Sequence, residues 1–277
     1  MTSVRSRRLL PAVMMVVGLA IFLGLAAGCK FLYDQTENRL LQQRTNEASA
    51  ALQLSVTQLT APLDAAAKLA AATNGDAASF AKIVEPYLGT DAGKFASAAL
   101  YRIGSTTPTT SVGAPIVLPT DGPNSAHSML ANGTTNPFAI VNLLGDEGRH
   151  LGYAVADTAK NPQWVAYGER TLSADPNIRR RTDEPFAQLN YAIYLGDQPA
   201  TDHLLGASAH NLPFTGRTAH QVVAFGDTNL LLVMTPIGHL SGGLFANLWW
   251  IVACGGVLLS AAFALLTRRL LDRRDTA

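Results

Sequence analysis

Two runs without a single charge bracket this chain. Leu9–Gly28 (LLPAVMMVVGLAIFLGLAAG) spans 20 residues and Leu248–Leu266 (LWWIVACGGVLLSAAFALL) spans 19. At 1.5 Å rise per residue, about 20 apolar residues cross a hydrocarbon core of roughly 30 Å. Both runs are read as transmembrane helices, which leaves residues 29–247 to fold between them. That length is enough for one sizeable core.

The flanks set the orientation. Arg5, Arg7 and Arg8 precede the first run, and Arg268, Arg269, Arg273 and Arg274 follow the second. Basic clusters stay on the cytoplasmic side. Trp249 and Trp250 open the second run at the opposite face, where amphipathic rings prefer to sit. The expected topology is a two-span plasma-membrane protein with its central domain outside the cytoplasm. Residues 1–8 and 267–277 are its short cytoplasmic segments, and a tail of 11 residues is too short for a catalytic domain.

Ala26-Ala27-Gly28-Cys29 admits a second reading, as the cut site of a lipoprotein signal. A secretory apolar region is usually about 7–15 residues, and the run here is longer. Ala26 also stands where a lipoprotein site prefers Leu. The uncut anchor is favoured, and lipidation of Cys29 stays open. Cys29 and Cys254 both lie in or beside the apolar runs, so the central domain has no cysteine to form a disulfide. Charged residues make up 15% of the chain, with a net charge of +1. That balance does not suggest a nucleic-acid partner.

Residues 29–72 read as one long membrane-proximal helix. Its stripe runs Leu41, Thr45, Ala48, Leu52, Val56, Leu59, Leu63, Ala66 and Ala70, close to a heptad. Such a stripe suits either a homodimer through residues 41–70 or packing on the chain's own domain. A kink or break is expected near Ala61, before Pro62. Residues 73–247 form the rest of the central domain. A helix capped by Asp76 presents Phe80, Ile83, Val84 and Leu88 and ends at Pro86. Phe95–Ile103 is a strand, and Gly104–Pro137 reads as an irregular loop with a short extended piece at 114–118. Phe138–Leu144 and His150–Ala156 form a hairpin around Gly145-Asp146-Glu147-Gly148. Pro162–Arg170 reads as a short helix and Phe186–Leu195 as a strand. His220–Phe225 and Asn229–Thr235 form a second hairpin around Gly226-Asp227-Thr228. The expected fold class is α+β, an antiparallel sheet with a long N-terminal helix, flanked by two transmembrane helices.

This organisation resembles the PAS-like extracytoplasmic sensor domains of bacterial receptors, of the Cache and CHASE type. The resemblance is sharper in the C-terminal half. Phe186–Gly196 (FAQLNYAIYLG), the Val222–Thr235 hairpin with Phe225-Gly226-Asp227, and Gly238–Gly243 look like the sensor regions of actinobacterial membrane histidine kinases and related ATPase or phosphatase receptors. The resemblance implies a PAS-like sheet with a ligand cavity on one face. A kinase-like output domain would follow a segment such as Leu265–Arg274 in those receptors. Here none does, so a truncated or split sensor kinase is one form of the expectation.

No His-Glu-x-x-His, Gly-x-Ser-x-Gly, Walker loop or Cys-x-x-Cys is present. The six histidines have no ligand spacing. Neither an enzyme, a metal nor a cofactor is expected. Candidate ligand residues are the aromatic and basic groups Tyr101, Arg102, Tyr153, Trp164, Tyr167, Arg170 and Tyr191. An arginine grips a carboxylate through paired hydrogen bonds, and aromatics enclose an apolar body or a cation. Tyr191 and Tyr194 lie three apart on a strand and face opposite sides. Arg179-Arg180-Arg181 reads as a solvated turn. The expected function is a membrane-anchored sensor module that binds a small molecule and relays through its two spans to a membrane signalling partner. The alternative is a scaffold that binds another envelope protein.

Overall fold

The computed structural model describes residues 3–91, 93–145, 148–158, 161–176 and 186–274. Arg179-Arg180-Arg181, and Asp146-Glu147 of the first expected turn, lie outside the described residues. The chain divides into two compact units: residues 1–42 with 236–277, and residues 43–235.

Helix α1 runs from Ser3 to Thr73 without a break. No break occurs at Pro62. A proline inside a helix costs about 3 kcal/mol through its missing N–H and ring clash. Here the following positions Leu63, Ala66, Ala67 and Ala70 are all buried in the core, and that packing holds the helix across the proline. Two left-handed residues, Asn74 and Gly75, end the helix. The Gly75 N–H donates to the Ala70 carbonyl at 2.8 Å, satisfying a terminal acceptor. Gly75 also lies so close to Trp164 that a Cβ there would come within 2.1 Å of the indole. The stripe from Val56 to Ala70 packs within the chain's own domain, with Leu52 and Leu59 partly buried beside it. Helix α2 (Ala77–Val84) begins where the Ser79 N–H donates to the Asp76 carboxylate, at 2.8 Å. Pro86 follows in a 3-10 turn, Glu85–Tyr87.

The next elements are β1 (Ser97–Arg102), β2 (Thr110–Gly113), α3 (Ala126–Gly133), β3 (Phe138–Leu143), β4 (His150–Ala156) and β5 (Trp164–Thr171). Their strands form an antiparallel sheet in the order β2-β1-β5-β4-β3. Pro162–Arg170 is no helix: most of it forms central strand β5, paired on both edges. Trp164 to Glu169 are buried whichever way they point, so no alternation marks the strand. The Gly104–Pro137 stretch is not wholly irregular. It contains β2 and α3, the latter capped by the Ser125 hydroxyl, which accepts from the Ser128 N–H.

The expected single sheet is also corrected. Strands β6 (Leu189–Leu195), β7 (Leu204–Ala207), β8 (Ala219–Phe225) and β9 (Thr228–Pro236) form a second sheet, ordered β7-β6-β9-β8. Strand β7 has only four residues, one of them Gly206, too short to leave a period in the sequence. The Gly226-Asp227 turn joins the sheets: the Asp227 carboxylate accepts from the Ile140 N–H of β3 at 2.8 Å. One core lies between α1, α2 and the five-stranded sheet, and takes in Val223, Phe225 and Leu230 of the second sheet. A second core lies under α3 on the opposite face of the five-stranded sheet. A third covers the far face of the four-stranded sheet around Tyr194 and Leu231. The domain is α+β with antiparallel sheets and a long N-terminal helix.

The other unit holds the lower part of α1 and helix α4 (Gly243–Arg274). By length and composition, both contain a segment able to cross a membrane. The two apolar segments touch through glycines. A Cβ on Gly256 would lie 2.2 Å from Phe22, and one on Gly18 would lie 2.8 Å from the Ser260 hydroxyl. Just beyond, fully buried Glu37 accepts from the Leu240 N–H at 3.1 Å, the Ser241 N–H at 2.7 Å and the Ser241 hydroxyl at 2.6 Å.

Candidate functional site

Strand β5 sorts its side chains by parity. Val165, Tyr167 and Glu169 face α3, while Trp164, Ala166 and Arg170 face α1. The two faces carry two different cavities.

On the α3 face lies a cavity of about 310 Å³. One wall is the loop from Val117 to Asn124. The other is the end of β3 at Asn142 and Leu143, with Gly145, Gly148 and His150. Immediately behind this wall is Glu169, 1% exposed. Its carboxylate accepts from the Val117 N–H at 3.1 Å and from the Tyr167 hydroxyl at 3.2 Å, and lies 3.3 Å from His150 Nδ1. The carboxylate thus ties the loop to the sheet and holds the imidazole at the cavity wall. Tyr101 packs edge-on against Tyr167, with ring centroids 6.2 Å apart. Burial, reinforced by the nearby Glu169 charge, pushes the Tyr101 hydroxyl up to about 12 and raises that of Tyr167 as well. Ser97, directly opposite Glu169 in the β1–β5 register, is fully buried. Its hydroxyl has no partner among the described residues.

On the α1 face lies a larger cavity, about 490 Å³, walled by α1 and both sheets. Tyr153 and Arg170 line it. Burial raises the Tyr153 hydroxyl, while the hydrogen-bonded Arg170 guanidinium opposes that shift.

The seven candidate residues therefore do not surround one cavity. Strand alternation sends Tyr101 to the α3 face, and Tyr153 and Trp164 to the other. Of the seven candidates, Tyr101 and Tyr167 stand together on the first face, and Tyr153 and Arg170 line the second cavity. Trp164 packs in the core against Gly75, with the Arg102 guanidinium 5.8 Å from its ring centre. Tyr191 is half-buried on β6, where its N–H donates to the Ser208 hydroxyl, and it lines neither cavity. Tyr194 is buried in the core on the far face of its sheet.

Glu169, His150, Ser97 and Val117 were not among the candidates. The one available signal was Glu169, an acid directly after the apolar run 164–168. Reading that run as a helix hid its alignment with Tyr167.

No family model matches the chain, and no curated protein matches it. Among solved structures, the chain is similar to the ligand-binding domain of the Pseudomonas aeruginosa PAO1 amino acid chemoreceptor PctC, determined in complex with GABA. The two are 16% identical over 72% of this chain and 99% of that one, with a TM-score of 0.43.

Proposed function

We propose that the protein is a non-catalytic, membrane-anchored sensor whose domain lies outside the cytoplasm and binds a small polar molecule beside His150. The observation that carries this reading is the buried Glu169, which holds both His150 and the Val117 loop at the wall of one cavity. A molecule entering there meets a positioned imidazole and the polar side chains of Asp121, Asn124 and Asn142. Concave sites with a few convergent polar groups and perturbed titratable neighbours are the usual form of a small-molecule site. A scaffold role predicts a filled sheet face, and the two cavities do not match it.

Gly168 adjoins Glu169 and faces α1, where a Cβ added to it would sit 3.1 Å from the Leu63 side chain. A ligand that changes the Val117–Glu169–His150 arrangement would move β5, and β5 bears on α1. The helix continues from there into the first apolar segment. Only a ligand with different affinity for two packings can shift the balance between them. Thermal-shift screening of the full-length protein against polar metabolites tests this reading. At least one compound should raise the melting temperature of the wild type and leave His150→Ala unmoved. Failure of every compound in a broad library would count against it.

A further inference from the structure

We propose that the cavity between α1 and the two sheets is a second, separate site, which takes a small molecule with an aliphatic body and one carboxylate. Its volume, about 490 Å³, falls in the range of small-molecule sites. Its walls are mainly apolar: Leu52, Val56 and Leu59 from α1, Leu151 from β4, and Phe225 and Leu230 from the second sheet. Such a surface takes an apolar body.

Arg170 sets the charge. It is half-buried, lines the cavity, and hydrogen-bonds to the buried hydroxyl of Tyr153. Tyr153 is neutral at physiological pH, as a phenol with an ordinary pKa of about 10 is, and burial only raises it. No carboxylate among the described residues forms an ion pair with Arg170. Its sequence neighbour Glu169 serves the opposite face of the sheet. A guanidinium partly removed from water without a counter-charge favours an anion, and its planar fork matches a carboxylate best. Ser55 and Gln58, on the solvent side of α1, supply polar groups at the rim. Because α1 and both sheets form the walls, an occupant would press directly on the helix.

The test uses the full chain in phosphatidylcholine nanodiscs, with empty nanodiscs as the background. Octanoate, 1-octanol and octylammonium are compared by equilibrium dialysis. Octanoate is expected to bind saturably above background, about tenfold or more tighter than the other two, the scale of a hydrogen bond to a charged group. Arg170→Gln should weaken octanoate by a similar factor. Ser55→Trp, at an exposed helix position, should close the cavity and abolish octanoate binding while the circular dichroism spectrum stays that of the wild type. His150→Ala should leave octanoate binding unchanged, which separates this site from the one on the α3 face. Octanoate binding no greater than to empty nanodiscs would overturn the proposal. So would equal binding of octanol, or wild-type affinity in both Arg170→Gln and Ser55→Trp.

Discussion

Glu169 and Arg170 are adjacent in β5, yet their side chains serve opposite faces of the five-stranded sheet. Glu169 closes on Val117, Tyr167 and His150 under the α3-side loop, while Arg170 meets Tyr153 beside α1. One peptide step thus separates an acidic centre from a basic one, with the sheet between them. Glu169→Ala strands the Val117 N–H and the Tyr167 hydroxyl, and each lost partner of a buried donor costs about 1–3 kcal/mol. A loss of about 2–4 kcal/mol is expected in denaturant unfolding, with Glu169→Gln milder because an acceptor remains.

Gly152 of β4 stands directly across from Glu169. A Cβ there would lie 2.5 Å from the Tyr167 hydroxyl and 2.6 Å from its ring. Tyr167 is fully buried and cannot swing out. Gly152→Ala should therefore cost about 1–3 kcal/mol, as overpacking does. A thermal melt of the variant beside Gly145→Ala, where a Cβ meets open space, checks it. Equal melting temperatures would contradict the packing described.

The tyrosines give a pH signature. The Tyr101 hydroxyl is raised from 10.0 to about 12 by burial and then by Glu169. A pKa raised on folding contributes stability that is complete below the unfolded value and lost as pH climbs through the folded value. The native state should thus weaken between about pH 10 and 12. Absorbance of tyrosinate at 295 nm should show Tyr101 titrating only as the fold is lost. Tyr101→Phe should shift the alkaline midpoint upward.

In the membrane-side unit, Glu37 holds the segment before α4 through Leu240 and Ser241. Glu37→Ala removes the acceptor of two backbone N–H groups and a hydroxyl, and should loosen residues 238–242. Limited proteolysis of the full chain in nanodiscs should cut the variant there several times faster than the wild type, with Glu37→Gln restoring most of the protection. Equal cutting rates would show that the carboxylate does not hold the segment.

The features legible in the sequence were those with local signals. Charge-free runs mark the two apolar helices, and Gly-Asp turns mark the β3–β4 and β8–β9 hairpins. Asp76 announces α2. What stayed hidden depends on distant partners. Strand β5 has no period because β1 and β4 cover both its edges and both its faces are buried. Pro62 argued for a break that core packing overrides. Strand β7 and helix α3 are too short, or too embedded in turn residues, to stand out. The Glu169–His150 pair exists only once β4 lies beside β5. For the same reason, Tyr101 and Tyr153 could not be separated until the alternation of each strand was fixed. Arg170 and Tyr153, by contrast, were candidates that do meet.

The central claim is that a small polar molecule occupies the cavity beside His150. A ligand-bound structure of the full chain, with the compound that stabilises the wild type but not His150→Ala, tests it most directly. The account predicts the compound between the Val117–Asn124 loop and β3, in contact with the imidazole, with the Val117 N–H to Glu169 hydrogen bond altered. A compound bound elsewhere, with that cavity unoccupied and the hydrogen bond unchanged, would contradict it.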